Sequence, residues 1–398
     1  MSEHRTPVHP GGGHGVGDPS TLEAAPATTP GPEAVPTGGK PPARRLLDRL
    51  TRFRELGLVV AIAILFGATG AANPSFLSAQ SIRDILLNAS IITLLAVGQA
   101  IVIVTRNVDL SVSSITGLTA FGSGVLLADH HGLPVAVVVL VCLAIGAVCG
   151  AVNGLLVAYA KVPALVATLG TLYVYRGVDY AIAKGRQVNA ADMPAGFLSL
   201  GTKQIAGIPV LVIVSAVVLV VVGWVLANLR QGRELYAIGS HPEAAVLAGI
   251  PVRRRIFAAF IVNGAIAGLA GVMWAARFGT VDATVATGKE LDVIAAVVVG
   301  GVAIFGGSGT VYGAALGAVL LSSISSALAV LRVDSLAQNA INGLLLLAAI
   351  VLDRVLALRV NATLRRRRFA SRRRAARGQP ERGVPRPSTE GAKEVSDT

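Results

Sequence analysis

Residues 98–118, GQAIVIVTRNVDLSVSSITGL, place Arg106, Asn107, Asp109 and Ser111 between two apolar runs. Charged and amide groups in such a setting are costly unless paired, hydrated or at a boundary. Two readings fit. In one, the cluster is a tight polar loop near the cytoplasmic face, with Asp109 or Ser111 capping the next helix. In the other, it interrupts a helix beside a polar route through the bilayer. The neighbouring runs add amides at Gln99, Asn153, Asn263 and Asn342, and Asn153 is expected to bond across helices. Thr168, Thr171 and Tyr175 are spaced to share one helix face.

Other chemistries find less support. GGSGTVYG, residues 306–313, has the glycines of a phosphate loop but lacks its Lys-Ser/Thr ending. Small residues there indicate close packing or a hinge. Cys142 and Cys149 lie in one apolar run, about 10 Å apart on a helix, beyond disulfide reach and without metal-ligand spacing. His4, His9 and His14 are irregularly spaced, so no metal site is expected. Asp129, His130 and His131 are the nearest approach to a membrane-enzyme cluster, and the adjacent histidines point apart on any regular element.

A second stretch, GSHPEAAVLAGIPVRRR at 239–255, is polar and cationic although flanked by apolar runs. Pro242 suits a first helical position and Glu243 a first turn. Ala244 to Ala248 supply about two turns, Gly249 ends them, and Pro251 opposes continuation. Ala244, Ala245 and Ala248 form a small-residue face that another protein could approach closely. The alternative is a helix lying on lipid headgroups.

The elements that position these residues are membrane spans. The 398 residues are 53% hydrophobic and 14% charged, against about a quarter charged in soluble domains. Ten apolar runs follow: 57–72, 86–105, 111–128, 133–156, 163–183, 208–229, 256–278, 291–307, 310–331 and 335–353. The expected class is therefore an all-α polytopic membrane protein. The net charge of +13 comes with no nucleic-acid recognition motif, so nucleic acid is not an expected partner. Arginines instead cluster at 44–54, at 354–368 and in the loop 230–255, which places all three segments in the cytoplasm.

The sequence thus divides into an unstructured cytoplasmic tail (1–54), a membrane domain (55–354) containing the cytoplasmic loop 230–255, and a basic unstructured tail (355–398). The last is a topological anchor or a site for anionic membrane lipid. The apolar run beyond residue 55 lacks a signal-peptide cleavage pattern. The loop 184–207 is the longest external connection and a candidate surface for an extracytoplasmic partner.

GRELYAIGSHPEAAVLAGIPVRRR resembles the coupling loop of ABC importer permeases of the ribose/xylose/rhamnose type. Glu243, Ala244, Ala245 and Gly249 match that family's EAA-like element, and Ile250 and Arg253 complete the candidate ATPase-coupling set. The resemblance spans about residues 55–354. It includes ATLGT at 167–171, the GG-x4-GG-x-G run at 300–309, and Glu290-Leu291-Asp292 before it. Where the family has a GGxDLSVGS-like signature this chain has RNVDLSVSS, so Arg106-Asn107 replace a glycine pair and Ser113 a later glycine. TRN at this point is similar to permeases for rhamnose and for the furanosyl autoinducer.

The resemblance implies a permease subunit moving a monosaccharide inward by alternating access, in the cell inner membrane. It also implies a second permease copy, an ABC ATPase subunit that holds ATP and Mg, and an extracytoplasmic sugar-binding protein. No cofactor is expected in this chain, and it is not itself an enzyme. A neutral sugar calls for hydroxyls and amides; the candidate pathway residues are Gln99, Asn107, Asp109, Ser111, Asn153, Thr168 and Asn263. The rival is an ion-coupled secondary transporter, for which Arg176 and Asp179 are the intramembrane ionisable groups.

Overall fold

Glycine spacing decides the closest helix pair of this fold. Gly146, Gly150 and Gly154 recur every fourth residue in α4 (Val135–Gly154), and Gly264 and Gly268 do so in α10 (Val252–Phe278). The two stripes face each other so closely that a Cβ on Gly146 would strike the Gly264 carbonyl oxygen. One on Gly150 would strike the Phe260 carbonyl oxygen. In lipid, where burial against apolar tails gives little, such backbone contact is what joins helices. We expect Gly150→Leu to prevent α4–α10 docking, read as loss of monodisperse protein on extraction from membranes. An unchanged elution profile would refute this packing.

The structure, a computed structural model, describes residues 42–334 and parts of 337–351. Two compact units divide the chain, Met1–Leu46 and Leu47–Thr398, and the architecture below is that of the second. α2 (Ala79–Val104) is the most buried span: α10, α7 (Val210–Asn228) and α12 (Val311–Val330) pack on it, while α3 (Val112–Asp129) packs on α10 and α5 (Ala164–Ala183) on α3. α1 (Pro42–Ala72) begins inside the segment expected as a tail, because Leu46, Leu47, Leu50 and Phe53 already follow a helical period. Residues 1–41 and 352–398, which hold most of the two expected tails, lie outside the described residues.

Seven described helices have the length and apolarity to cross a membrane: the apolar part of α1, then α2, α3, α4 with its π-helical extension to Tyr159, α7, α10 and α12. α5 has 20 residues but carries Arg176 and Asp179. The all-α polytopic class is as expected. The eighth expected span, 291–307, is corrected. Its helix α11 (Lys289–Val299) has 11 residues, about 16 Å, against a hydrocarbon core of about 30 Å. Gly300 and Gly301 end it, and an irregular segment completes the passage to α12. The tenth, 335–353, is described only in part, and the described pieces are helical.

The external loop 184–207 is folded over the bundle. It carries α6 (Ala195–Thr202), whose Phe197 is fully buried, and the two-stranded hairpin β1 (Gln204–Ile205) and β2 (Ile208–Pro209). Val188 pairs with Val281, which ties this cap to the segment after α10. α8 (Arg230–Ser240) and α9 (Pro242–Leu247) join α7 to α10.

Candidate functional site

The chain leaves α2 at Val104, turns at Arg106 and Asn107, and climbs back before α3 starts. Asp109 is thereby carried up beside Asn263, in the middle third of α10, and is fully buried. Asp109 stands in the irregular stretch between α2 and α3, and Ser111, the N-cap residue of α3, makes no side-chain capping bond.

The Asp109 carboxylate accepts from the Ser111 amide at 2.9 Å, the Ser111 hydroxyl at 2.7 Å, Asn263 Nδ2 at 2.9 Å and Asn153 Nδ2 at 3.3 Å. Asn153 also donates to Ser111 Oγ and accepts from the Tyr175 hydroxyl. Gln99, in the amide orientation that satisfies both groups, spans the Asp109 backbone at 3.2 and 3.1 Å. Thr168 Oγ1 donates to the Val108 carbonyl at 3.2 Å. Six of the seven candidate pathway residues thus meet in one knot that ties α2, α3, α4, α5 and α10. All six are at most 1% exposed. Asn107 stands apart at the tip, bonded to Thr105.

A second interrupted segment enters from outside. After α10, residues 280–288 dip into the bundle, and Arg176 holds them there. Its Nη1 donates to the carbonyls of Ala283 and Val285 at 2.7 and 2.9 Å, with Asp179 3.7 Å away. Irregular backbone at membrane depth needs such protein donors.

The two interruptions meet the cytoplasmic loop at one corner. Arg106 has φ +66°, the backbone a glycine would readily adopt, so the turn survives replacement of the family's glycine pair. Its guanidinium adds a clamp: Nε donates to the Gly239 carbonyl at 2.5 Å and Nη2 to Ser240 at 2.7 Å, capping the C-terminus of α8. The Gly307 amide, from the segment after α11, donates to the Val104 carbonyl at 2.9 Å. Gly239 lies against both, where a Cβ would collide. α8 is in turn fixed to α10 by buried Glu234, which pairs with Arg255 at 2.5 Å and Arg230 at 2.6 Å. Those guanidinium groups, Arg255 foremost, hold the Glu234 carboxyl below the usual carboxylate range.

α9 projects from this corner. It ends in a Schellman motif: Gly249 (φ +74°) donates to the Val246 carbonyl and Ile250 to the Ala245 carbonyl, both at 3.0 Å. Glu243, Ala244 and Arg253 are exposed and Ile250 is half-buried. Ala245, expected on the outward small-residue face, instead packs inward at 3% exposure, because that side of α9 must seat on the bundle. The outward tip is Val246 and Leu247, the latter 89% exposed. Both stand in the quoted loop, yet its alanines alone had marked a face. Arg106 was legible as a charge but not as a clamp.

A family model described as branched-chain amino acid transport system / permease component matches residues 81–352. The chain is 39% identical over 307 residues to the autoinducer 2 import system permease protein LsrC of Enterobacter sp. (strain 638), covering 77% of this chain and 88% of that one. It is 39% identical over 325 residues to the LsrC protein of Salmonella paratyphi A, covering 82% and 92%. Against that of Escherichia coli (strain K12 / DH10B) the identity is 37% over 325 residues, covering 82% and 94%. No solved structure matches. Apolar helices in this order make it a multi-pass inner-membrane protein, and the chain belongs to the branched-chain amino acid transport system / permease component family.

Proposed function

We propose that this chain is the permease subunit of an ABC importer for a small furanosyl sugar of the autoinducer 2 kind. Similarity over most of its length to permeases named for that import carries the reading. Rhamnose, ribose and xylose are the next candidates. The family leaves no place for the ion-coupled alternative, and Arg176 is engaged in holding backbone, with Asp179 3.7 Å from it.

Energy enters from a partner ATPase that binds ATP and Mg. Glu243, Ala244, Gly249, Ile250 and Arg253 border the docking tip, and Val246 and Leu247 fill it. An apolar tip this exposed on a cytoplasmic helix calls for a cover. Movement of α9 passes through α8 to Arg106 and Gly307, and so to both interrupted segments. Gln99, Asp109, Ser111, Asn153, Thr168 and Asn263 act as positioning residues that keep the first interruption seated, and Asn107 sits at its hinge. A binding protein delivers sugar at the cap 184–209, and a second permease copy completes the route.

The test is uptake in vesicles carrying the chain with its ATPase and binding protein. Labelled autoinducer 2 should enter only with ATP and binding protein, and faster than rhamnose, ribose or xylose. Uptake without ATP would overturn the reading.

A further inference from the structure

A cavity of about 290 Å³ opens between α2, α10, α11 and α12, at the small end of the range for small-molecule pockets. None of the seven candidate pathway residues lines it. It lies toward the outer end of the bundle: Phe278 closes α10 and Ala329 is near the end of α12, both outward ends under the arginine-defined orientation.

The walls are of two kinds, apolar and polar. Trp274 and Phe278 pair with ring centroids 4.8 Å apart and tilted at 40°, and Ile91, Ile92 and Leu321 add apolar lining. The polar wall groups are Asn88, Lys289, Asp292, Ser325 and Ser326. Lys289 Nζ and Asp292 Oδ2 pair at 2.7 Å, so the site is close to neutral. Asn88 lines the cavity and its Oδ1 accepts from Arg277, so the amide NH2 is its remaining donor. Among the described residues the hydroxyls of Ser325 and Ser326 hydrogen-bond no side chain or backbone group. An apolar lipid tail would leave these groups unsatisfied, and an anion would meet Asp292. A ring with an apolar C–H face and several hydroxyls satisfies both walls, since hydroxyls donate to Asp292 and accept from Lys289 and Asn88.

We infer that this cavity is an outward-side binding site for a monosaccharide-sized polyol, with the ring face on Trp274 and the hydroxyls on Asn88, Asp292, Ser325 and Ser326. The inference rests on the import reading and adds a waypoint between the binding protein and the deeper route.

Trp224 and Trp274 are the two tryptophans, and Trp224 is exposed on α7. Trp224→Phe therefore leaves Trp274 as the one tryptophan of this chain, and the full chain in detergent, without its partners, is what is titrated. Titration with autoinducer 2 or ribose should change its emission saturably. Ser325→Ala with Ser326→Ala should raise both the half-saturation point and the uptake KM about tenfold, with basal ATP hydrolysis unchanged. Asp292→Asn, which keeps the shape, should do the same. A silent Trp274 and unaltered KM beside normal ATP-driven uptake would overturn this site and leave the import reading standing. A saturable response without ATP-driven uptake would overturn the import reading and keep the site. A response to acyl-chain composition alone would identify a lipid occupant and overturn the site.

Discussion

Asp109→Leu is expected to yield no assembled protein. The carboxylate is the acceptor for Ser111, Asn153 and Asn263, and all of them are buried. Removing it leaves buried donors facing an isobutyl group, at about 1–3 kcal/mol each. Summed over these donors, that is a large share of the 5–15 kcal/mol that typically holds a fold. Asp109→Asn keeps the shape but turns an amide nitrogen toward donors, so an intermediate loss is expected. Size-exclusion profile and Tm in detergent measure both. A monodisperse Asp109→Leu protein with unchanged Tm would show that the knot does not hold the bundle.

Gly249→Pro should behave in the opposite way, folding normally and failing to couple. Gly249 sits at φ +74° and its amide donates to Val246, whereas proline fixes φ near −65° and has no N–H. The Schellman end of α9 cannot then form. Nothing packs within 4 Å of where a Cβ would stand, so the bundle is untouched. The expected result is wild-type Tm, at least tenfold weaker ATPase capture, equal to about 1.4 kcal/mol, and no uptake. Leu247→Asp should give the same loss with the backbone intact, because it places a charge at the exposed apolar tip. Full uptake and ATPase capture in Gly249→Pro would remove α9 from the coupling path.

The sequence by itself determined what local pattern and solvent can dictate. Apolar runs set the spans, arginines set their orientation, and Pro242 and Gly249 set the start and stop of α9, because bilayer thickness, leaflet charge and backbone φ act over a few residues. Frequent glycine within the spans is what close helix packing in lipid calls for, but it does not say which helix meets which. Tertiary structure decided the rest. Residues 291–307 are apolar enough to suggest a span, yet α11 stops at Val299, because Gly300 and Gly301 (φ +99°) end it and the irregular backbone beyond finds a partner in the Val104 carbonyl, which accepts from the Gly307 amide. Asp109 and Asn263 are 154 positions apart and share a hydrogen bond. Arg106 clamps Gly239 across 133. Ala245 faces inward and Leu247 outward only because α8 fixes the roll of α9. No periodicity carries such facts: a buried polar group is satisfied by whatever the fold brings within about 3 Å, and that partner is chosen by the packing of helices rather than by distance along the chain.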